Sequence, residues 1–306
     1  MAGQQRIYKQ KIRSTETLAK VFRAMEMIAA SRIGTARRRA TEADPYTAAL
    51  TRAVAAVTVH GRVDHPITQP RKDTNRVAVL AVASDRGMAG AYSATILRET
   101  ERLLQELRED GKEPVLYASG RRAVQYFNFR HVPIKQSWTG ESDNPDNEMM
   151  DEVAQTLLDA FLDPTDGVAE IYLVFTRFKS MVTQVPEIRK MLPLTVVDTR
   201  QIPGVDDSDR EFKEDDAYPE YEFIPSAREV LNQLLPLYIR DRIRSAMLMA
   251  AASELASRQQ AMHTANENAN ELITDYTRLA NAARQADITQ EITEIVSGAD
   301  ALTQQA

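Results

Sequence analysis

The segment Ser84–Gly90, with the sequence SDRGMAG, is the first place in the chain where chemistry could reside. It follows an apolar run typical of a strand and precedes an amphipathic helix, which is where phosphate-binding loops occur. It lacks the lysine and hydroxyl of the G-x-x-x-x-G-K-[ST] motif, and it does not follow the G-x-G-x-x-G pattern. We therefore favour a tight structural turn over a phosphate cradle and keep phosphate or dinucleotide chemistry as the alternative.

Metal and nucleophile chemistry have little support in the sequence. His60 and His65 are separated by four residues in a polar stretch, with no third ligand near them in sequence. The absence of cysteine excludes disulfides, thiolate nucleophiles and Cys-ligated metal clusters. No serine, threonine or carboxylate stands in a recognisable elbow or triad setting. The sequence thus predicts no catalytic residue, no metal site and no bound cofactor.

Charge is distributed unevenly along the chain. The 306 residues carry a net charge of −6, which argues against a nucleic acid partner. Residues 1–39 hold ten Lys and Arg against two Glu, a net charge of +8, so the rest of the chain carries −14. The run Arg37, Arg38 and Arg39 lies at the end of this basic segment. A solvated helix face is the ordinary interpretation of such a run, and an acidic protein partner is the alternative.

The elements that must position these residues include an α/β region. Strands are predicted at 76–84, 114–119 and 170–176, with one or two more within 182–197, and helices at 92–109, 121–127 and 148–162. Strands that alternate with helices indicate a small Rossmann-like α/β domain with a mostly parallel sheet.

A very long helix is predicted from residue 5 to residue 59, with a kink or interruption at Pro45. Residues 60–75, rich in proline and charge, are predicted as a linker. The apolar stripe of the helix has nearly the 4-3 spacing of a coiled coil. Its members are Leu18, Phe22, Met25, Ala29, Ile33, Ala36, Ala40 and Ala43.

A second long helix is predicted near the C-terminus. Ser226 and Glu229 form a capping-box signature, and beyond Pro236 the sequence predicts roughly 60 helical residues, about 90 Å at 1.5 Å per residue. Apolar residues again alternate at spacings of three and four. The seam consists of Met262, Ala265, Ala269, Leu272, Tyr276, Leu279, Ala283 and Ala286. Its partner is either the N-terminal helix or another chain, and an intramolecular antiparallel pair is the more economical arrangement.

These patterns divide the chain into four parts: an N-terminal coiled-coil helix (1–60), an α/β domain (76–200), an acidic connecting loop (201–225) and a C-terminal coiled-coil helix (226–306). We interpret the acidic residues 206–222 as a solvated connection, with an acidic docking site as the alternative. No apolar run approaches the roughly 18 residues that span a bilayer, and no signal core opens the chain, so we expect a soluble, unprocessed protein. These features favour a rod-bearing interaction protein over an enzyme.

Four segments, in order along the chain, resemble the γ subunits of F-type ATP synthases. The longest is RQADITQEITEIVSGADA at 284–301; the others are RAMEMIAAS at 23–31, SDRGMAG at 84–90 and SELASRQQAM at 253–262. The chain departs from the family at Met88 and Ala89, where Leu-Cys is usual, at Arg23, where lysine is common, and in its longer acidic segment. The similarity spans essentially the whole chain.

The resemblance implies a rotor rather than an enzyme. In the family, the two terminal helices form an antiparallel coiled coil inside a ring of α and β subunits that carries the nucleotide sites. The α/β domain packs with the ε subunit on the membrane-embedded ring of c subunits, which proton flow turns. The implied location is peripheral, on the cytoplasmic face of a bacterial membrane, with membrane contact only through the c ring.

The resemblance also implies roles for individual residues. Arg23 and Met25 are expected near an acidic lever of the β subunit, and Arg86 is expected to hold its turn against that subunit. Arg284 and Gln285 are expected to hydrogen-bond a β loop. Subunit contacts are further expected at Ile288, Thr289, Ile292 and Ile295. Two rival hypotheses remain: a phosphate- or dinucleotide-dependent α/β enzyme, and an unrelated coiled-coil adaptor.

Overall fold

The computed structural model describes residues 2–42, 44–61, 71–193 and 222–303. These residues form two compact units. The first comprises Met1–Ser31 and Arg258–Ala306, and the second comprises Arg32–Ser257. The acidic residues 206–221, on which the predicted connecting loop depends, lie outside the described part of the chain.

The first and last helices contribute to both units. Helix α1 spans Ala2–Glu42 and helix α2 begins at Asp44 and ends at Gly61, which agrees with an interruption near Pro45. Helix α6 spans Ala227–Thr303, 77 residues with Pro236 inside it. It lies within the predicted range 226–306 and continues through the proline. The backbone N–H of Glu229 donates to Ser226 Oγ at 3.3 Å, which confirms the predicted cap.

In the described part of the second unit, five strands form one sheet in the order β3-β2-β1-β4-β5. The strands are β1 (Arg76–Val82), β2 (Glu113–Ser119), β3 (Ile134–Trp138), β4 (Glu170–Phe178) and β5 (Gln184–Leu192). Pairing is parallel except between β4 and β5, which are antiparallel. The predicted α/β class with a mostly parallel sheet is confirmed. The sequence did not predict β3, and the range 182–197 supplies a single described strand.

Apolar residues of the sheet pack on both of its faces. Helices α3 (Tyr92–Glu109) and α4 (Arg121–Phe129) bury Ile96, Leu104 and Phe127 against one face. Helix α5 (Asn147–Leu162) and the first part of α6 pack in the other core, with Leu157 and Ile239 fully buried. Central strand β1 is almost completely inaccessible to solvent, as its continuous apolar sequence predicts. This two-sided core fixes the ends of the strands, where the turn at 84–90 lies.

In the first unit, the beginning of α1 pairs with the end of α6 in antiparallel orientation. The Tyr8 and Tyr276 rings stack with centroids 6.5 Å apart, while Glu26 contacts His263. Tyr8, near the start of α1, thus contacts Tyr276 of α6, whereas Glu26, further along α1, contacts His263, which comes earlier in α6. The described contacts favour the intramolecular pair over a partner from another chain.

The packed stripe on each helix differs in part from the predicted one. Leu18 is 48% exposed and Ala19 is buried; Leu272 and Leu279 are 46% and 39% exposed, whereas Ala280 is buried. Five other predicted seam residues are more protected: Met262 and Ala269 are buried, and Ala265, Tyr276 and Ala283 are half-buried, whereas Ala286 is exposed. The three-four spacing was right for most of the stripe but placed three leucines on it that are exposed. Beside Leu18 and Leu279 the helices bury an adjacent alanine instead, and small side chains of this kind let two backbones approach closely.

Candidate functional site

The turn at 84–90 is organised around one carboxylate, that of Asp85. Asp85 Oδ1 accepts from the backbone N–H of Arg121 at 2.9 Å, and Oδ2 accepts from those of Gly140 and Ser142 at 2.9 and 2.8 Å. The Asp85 N–H donates to Ser142 Oγ at 2.7 Å. The Asp85 side chain is only 4% exposed. A single residue, Asp85, which follows β1, thus holds together the segments that follow β2 and β3.

This arrangement weakens the phosphate-binding hypothesis. Arg121 is the first residue of α4, and a helix N-terminus with free backbone N–H groups is what binds a phosphate. Here the Asp85 carboxylate already accepts from that N–H group and from two others. A phosphate at this edge of the sheet would have to displace a buried anion. The geometry therefore favours a structural turn.

Two partly buried carboxylates differ from catalytic acids in the direction of their pKa shifts. Burial alone would raise the pKa of Asp85, but the three backbone N–H donors hold it below its ordinary value. Burial would likewise raise the pKa of Glu170, but bonds from Lys190, Lys112 and Tyr172 lower it. Both groups are therefore ionised at neutral pH and are unsuited to donate a proton.

The other candidate considered from sequence, a metal site at His60 and His65, is not tested by the described residues. His65 and the side chain of His60 lie outside the described residues. Within the described part of the chain, no group of three or more His, Cys, Asp or Glu side chains is arranged to hold a metal ion.

Arg86 and Met88, in the same turn, face solvent. Arg86 is exposed, and its backbone carbonyl accepts from Ser84 Oγ at 2.8 Å. Met88 is 51% exposed and has a φ of 61°, which is uncommon for a non-glycine residue. The Asp85 anchor thus holds a rigid turn whose outer side chains are available to a partner.

Arg23 and Met25 lie on the helix pair of the first unit. Arg23 is exposed and Met25 is half-buried. Arg23 borders a shallow cavity of about 240 Å³ that is also lined by Glu26, Met27, Ala30, His263 and Asn266. In this groove His263 Nδ1 lies 2.9 Å from Glu26 Oε1, and His263 Nε2 lies 3.3 Å from Glu267 Oε1.

The end of α6 exposes the remaining predicted contact residues. Arg284, Gln285 and Thr289 face solvent, and Thr289 Oγ1 donates to the Gln285 carbonyl at 2.9 Å. The apolar side chains there are also exposed: Ile288 by 45%, Ile292 by 57%, Ile295 by 72% and Val296 by 54%. A cluster of apolar side chains on a solvent-exposed surface marks an interaction site.

Comparison with known proteins identifies the family. A family model described as ATP synthase matches residues 4–302. The chain is 60% identical over 304 residues to the ATP synthase gamma chain of Beutenbergia cavernae, and the match covers 99% of both chains. The chain belongs to the ATP synthase gamma chain family. It is also 51% identical to the gamma chain of a Nocardioides species, over 99% of this chain and 97% of the relative.

Solved structures agree with this gamma chain fold. The match to the rotor of Euglena gracilis mitochondrial ATP synthase has a TM-score of 0.65 at 14% identity, covering 94% of this chain and 100% of that one. The match to the central stalk and c ring of Tetrahymena thermophila mitochondrial ATP synthase has a TM-score of 0.56 at 18% identity, covering 80% and 99%. Among the described residues, no helix combines the length and apolarity needed to cross a membrane.

Proposed function

We propose that this chain is the central rotor of an F-type ATP synthase and has no catalytic site of its own. It couples proton-driven rotation of a c ring to ATP synthesis or hydrolysis on the β subunits of a ring of α and β subunits. The ε subunit and the c ring are the proposed partners of the α/β unit. The proposed location is peripheral, on the cytoplasmic face of a bacterial membrane.

The exposed apolar end of α6 is the observation that best supports this function. Ile288, Ile292 and Ile295 are each at least 45% exposed, beside the exposed Glu291 and Glu294. The isoleucines can turn inside an apolar collar, because their own contacts include no ion pair of fixed geometry that has to break at each step. The exposed apolar residues Met27 and Ile28 on α1 suit the same environment.

Polar residues beside these apolar ones supply contacts that differ between rotary positions. A rotor must have different free energies of contact with each ring conformation, because a ligand of equal affinity shifts no equilibrium. We propose that Arg284 and Gln285 hydrogen-bond a β loop in one position and release it in the next. Arg23 and Met25 meet an acidic lever of β, and Arg86 holds its turn against β.

Reconstitution tests the rotor function directly. The chain, mixed with purified α and β subunits, is expected to form a 1:3:3 complex with ATPase activity, whereas the chain alone has none. Steady turnover by the pure chain, or binding of labelled nucleotide to it, would favour the phosphate-dependent enzyme. A stable homodimer in sedimentation, with no affinity for α and β subunits, would favour the coiled-coil adaptor.

A double variant tests the polar contacts at the end of the helix pair. Arg284→Ala with Gln285→Ala removes bonds worth about 1.5–3 kcal/mol for each charged partner, so ATP synthesis and rotation-coupled hydrolysis fall together. Folding and c-ring docking stay intact, since both side chains are exposed. Arg278→Ala is the control, because it removes the same charge from the same helix at a side chain that is 79% exposed. Normal coupling in the double variant refutes the assigned contact but leaves the rotor function standing.

A further inference from the structure

The segment 139–147, TGESDNPDN, receives polar contacts from three directions within the second unit. It connects β3, which ends at Trp138, to α5, which begins at Asn147. The sheet contacts it first, because Asp85 accepts from the N–H groups of Gly140 and Ser142. Gly140 has a φ of 124°, a conformation that favours glycine.

The second set of contacts comes from α1. Arg32 Nη1 lies 3.2 Å from Asp143 Oδ2. Arg39 donates from Nη1 to Asn144 Oδ1 and from Nη2 to the Pro145 carbonyl, both at 2.8 Å. Arg32 and Arg39 are seven residues apart, two helical turns, and therefore lie on the same face of α1.

The third set of contacts comes from α6. Arg244 donates to Asn147 Oδ1, and Arg240, one turn earlier, donates to Gln155 Oε1 on α5. Asp146 Oδ1 accepts from the Met149 N–H and so caps α5. Arginines from both terminal helices thus converge on one short segment and the helix that follows it.

The hydrogen bonds to the 139–147 segment resist sliding in a way that the apolar core does not. Apolar attraction opposes separation but is non-directional, so it fixes the alignment of two packed faces less strictly than a hydrogen bond does. Hydrogen bonds weaken steeply with misalignment and therefore oppose sliding. The planar guanidinium adds a fixed geometry to each contact. In a rotor, torque produces forces directed across the helix axes. Helices α1 and α6 both continue into the first unit.

We propose that the 139–147 segment is a tether that transmits lateral load between the terminal helices and the sheet. Arg32, Arg39 and Arg244 act as positioning residues, and Asp85 anchors the tether to β1. This inference rests on the rotor function proposed above. It predicts that weakening the tether lowers the number of protons pumped per ATP hydrolysed, while ATP hydrolysis itself continues.

The test uses the complete ATP synthase in sealed vesicles, with ATPase rate and ATP-driven proton pumping measured on the same preparation. Asp143→Asn removes the carboxylate that Arg32 contacts. Glu141→Gln is the matched control, because it removes the same charge two residues earlier from an exposed position in the same segment. Arg39→Ala removes two bonds and is expected to have the larger effect.

Pumping per ATP hydrolysed is expected to fall about twofold in Asp143→Asn, whose ion pair is half-exposed, and about fivefold in Arg39→Ala. Hydrogen exchange at the N–H groups of Gly140 and Ser142 is expected to accelerate by the same factors, at an unchanged melting temperature. The charge-swapped double variant Arg32→Asp with Asp143→Arg is expected to restore both readouts. Restoration distinguishes a specific contact from a general change in charge.

Two results would overturn the tether. One is unchanged pumping and exchange in Arg39→Ala and Asp143→Asn. The other is a loss of pumping that Glu141→Gln reproduces or that the charge swap does not restore. Should a variant fail to assemble, hydrogen exchange in the isolated full chain decides, and unchanged exchange counts against the tether. Failure of the parent chain to confer ATPase activity on α and β subunits refutes the rotor function instead.

Discussion

The two units of the chain bury their apolar residues in different ways. In the second unit, Ala78, Val79 and Leu80 of β1 are completely inaccessible, and helices cover both faces of the sheet. Among the residues of the first unit whose burial is described, a narrow stripe that includes Ala29 and Ala269 is buried, while Met27 and Ile28 are exposed. The second unit therefore buries most of its apolar side chains within itself, although Phe129 and Val182 remain exposed. The apolar surface of the first unit is suited to a partner that lies outside this chain.

The difference also predicts how each unit responds to substitution. Hydrophobic stabilisation grows with the apolar area removed from water, and alanine contributes little area. The stability of the first unit thus depends on the close approach of two backbones. The stability of the second unit depends on a large core and on the hydrogen bonds that the Asp85 carboxylate accepts. Trp138 is the only tryptophan and belongs to the second unit, so its fluorescence follows that unit alone. Circular dichroism follows the helices of both.

The largest effect is expected for Gly120→Ala in the second unit. Gly120 has a φ of 95°, and a Cβ there would lie 2.2 Å from the Ala83 carbonyl oxygen. We expect a loss of about 3 kcal/mol or more in the free energy of unfolding, measured by Trp138 fluorescence in denaturant. The control Gly111→Ala has a positive φ but open space around the new Cβ, and is expected to lose only about 1 kcal/mol. Equal losses would show that the close contact has no energetic weight.

A somewhat smaller effect is expected for Asp85→Asn. The amide cannot accept from three N–H groups as the carboxylate does, so we expect a loss of about 2–3 kcal/mol. The folded-state pKa of Asp85 is depressed, so its contribution is present above the unfolded pKa of about 3.9 and is lost as pH falls through the folded value. Unfolding monitored by Trp138 should therefore lose part of its acid sensitivity in the variant. An unchanged acid transition would contradict the anchoring role.

In the first unit, Ala269→Leu is expected to cost about 1–2 kcal/mol by overpacking the seam. Ala269 is only 4% exposed. The half-buried Ala283 should tolerate leucine better. Thermal unfolding by circular dichroism should change while the Trp138 transition stays in place. A shift of the Trp138 transition as well would mean that the two units unfold as one.

The smallest effects are expected for Leu272→Ala and Leu279→Ala. Both leucines are exposed in the chain by itself, so each variant should unfold within about 0.5 kcal/mol of the parent. A loss in the free energy of unfolding comparable to that of Ala269→Leu would indicate that both leucines belong to the seam, as the sequence predicted. Assembly with α and β subunits is the complementary measurement, because an exposed apolar face contributes to stability only when a partner covers it.

The sequence predicted best where burial is complete. Helix α3 begins and ends at the predicted residues, and β1 follows its continuous apolar run. Strand β3 was missed because it is a short edge strand that reads IKQSW, with two apolar residues of which only Trp138 is buried. Pro236 lies inside α6, where the fully buried Leu235 and Ile239 on either side favour continuous helix despite the proline.

The site was less predictable than the fold. The segment 84–90 was recognised from sequence, but the role of Asp85 depends on Arg121, Gly140 and Ser142, which only the folded sheet brings near it. Of the converging arginines, Arg32 and Arg39 were visible only as part of the basic segment 1–39, and Arg244 was not singled out. The seam prediction chose Leu272 and Leu279 from their three-four spacing, whereas the helices bury Ala280 and half-bury Ile273. The contact roles of Arg23, Met25, Arg86, Arg284 and Gln285 stay predictions, since their partners belong to other chains.

The small residues between the paired helices have a mechanical consequence. Helices that pack through alanines such as Ala29 and Ala269 have their axes closer together than helices separated by leucines. A thinner rod twists further under the same torque and returns that work when the torque is released. Side-chain size along the seam thus sets the elastic compliance of the helix pair. Leucine at Ala269 would make the pair thicker and stiffer as well as less stable.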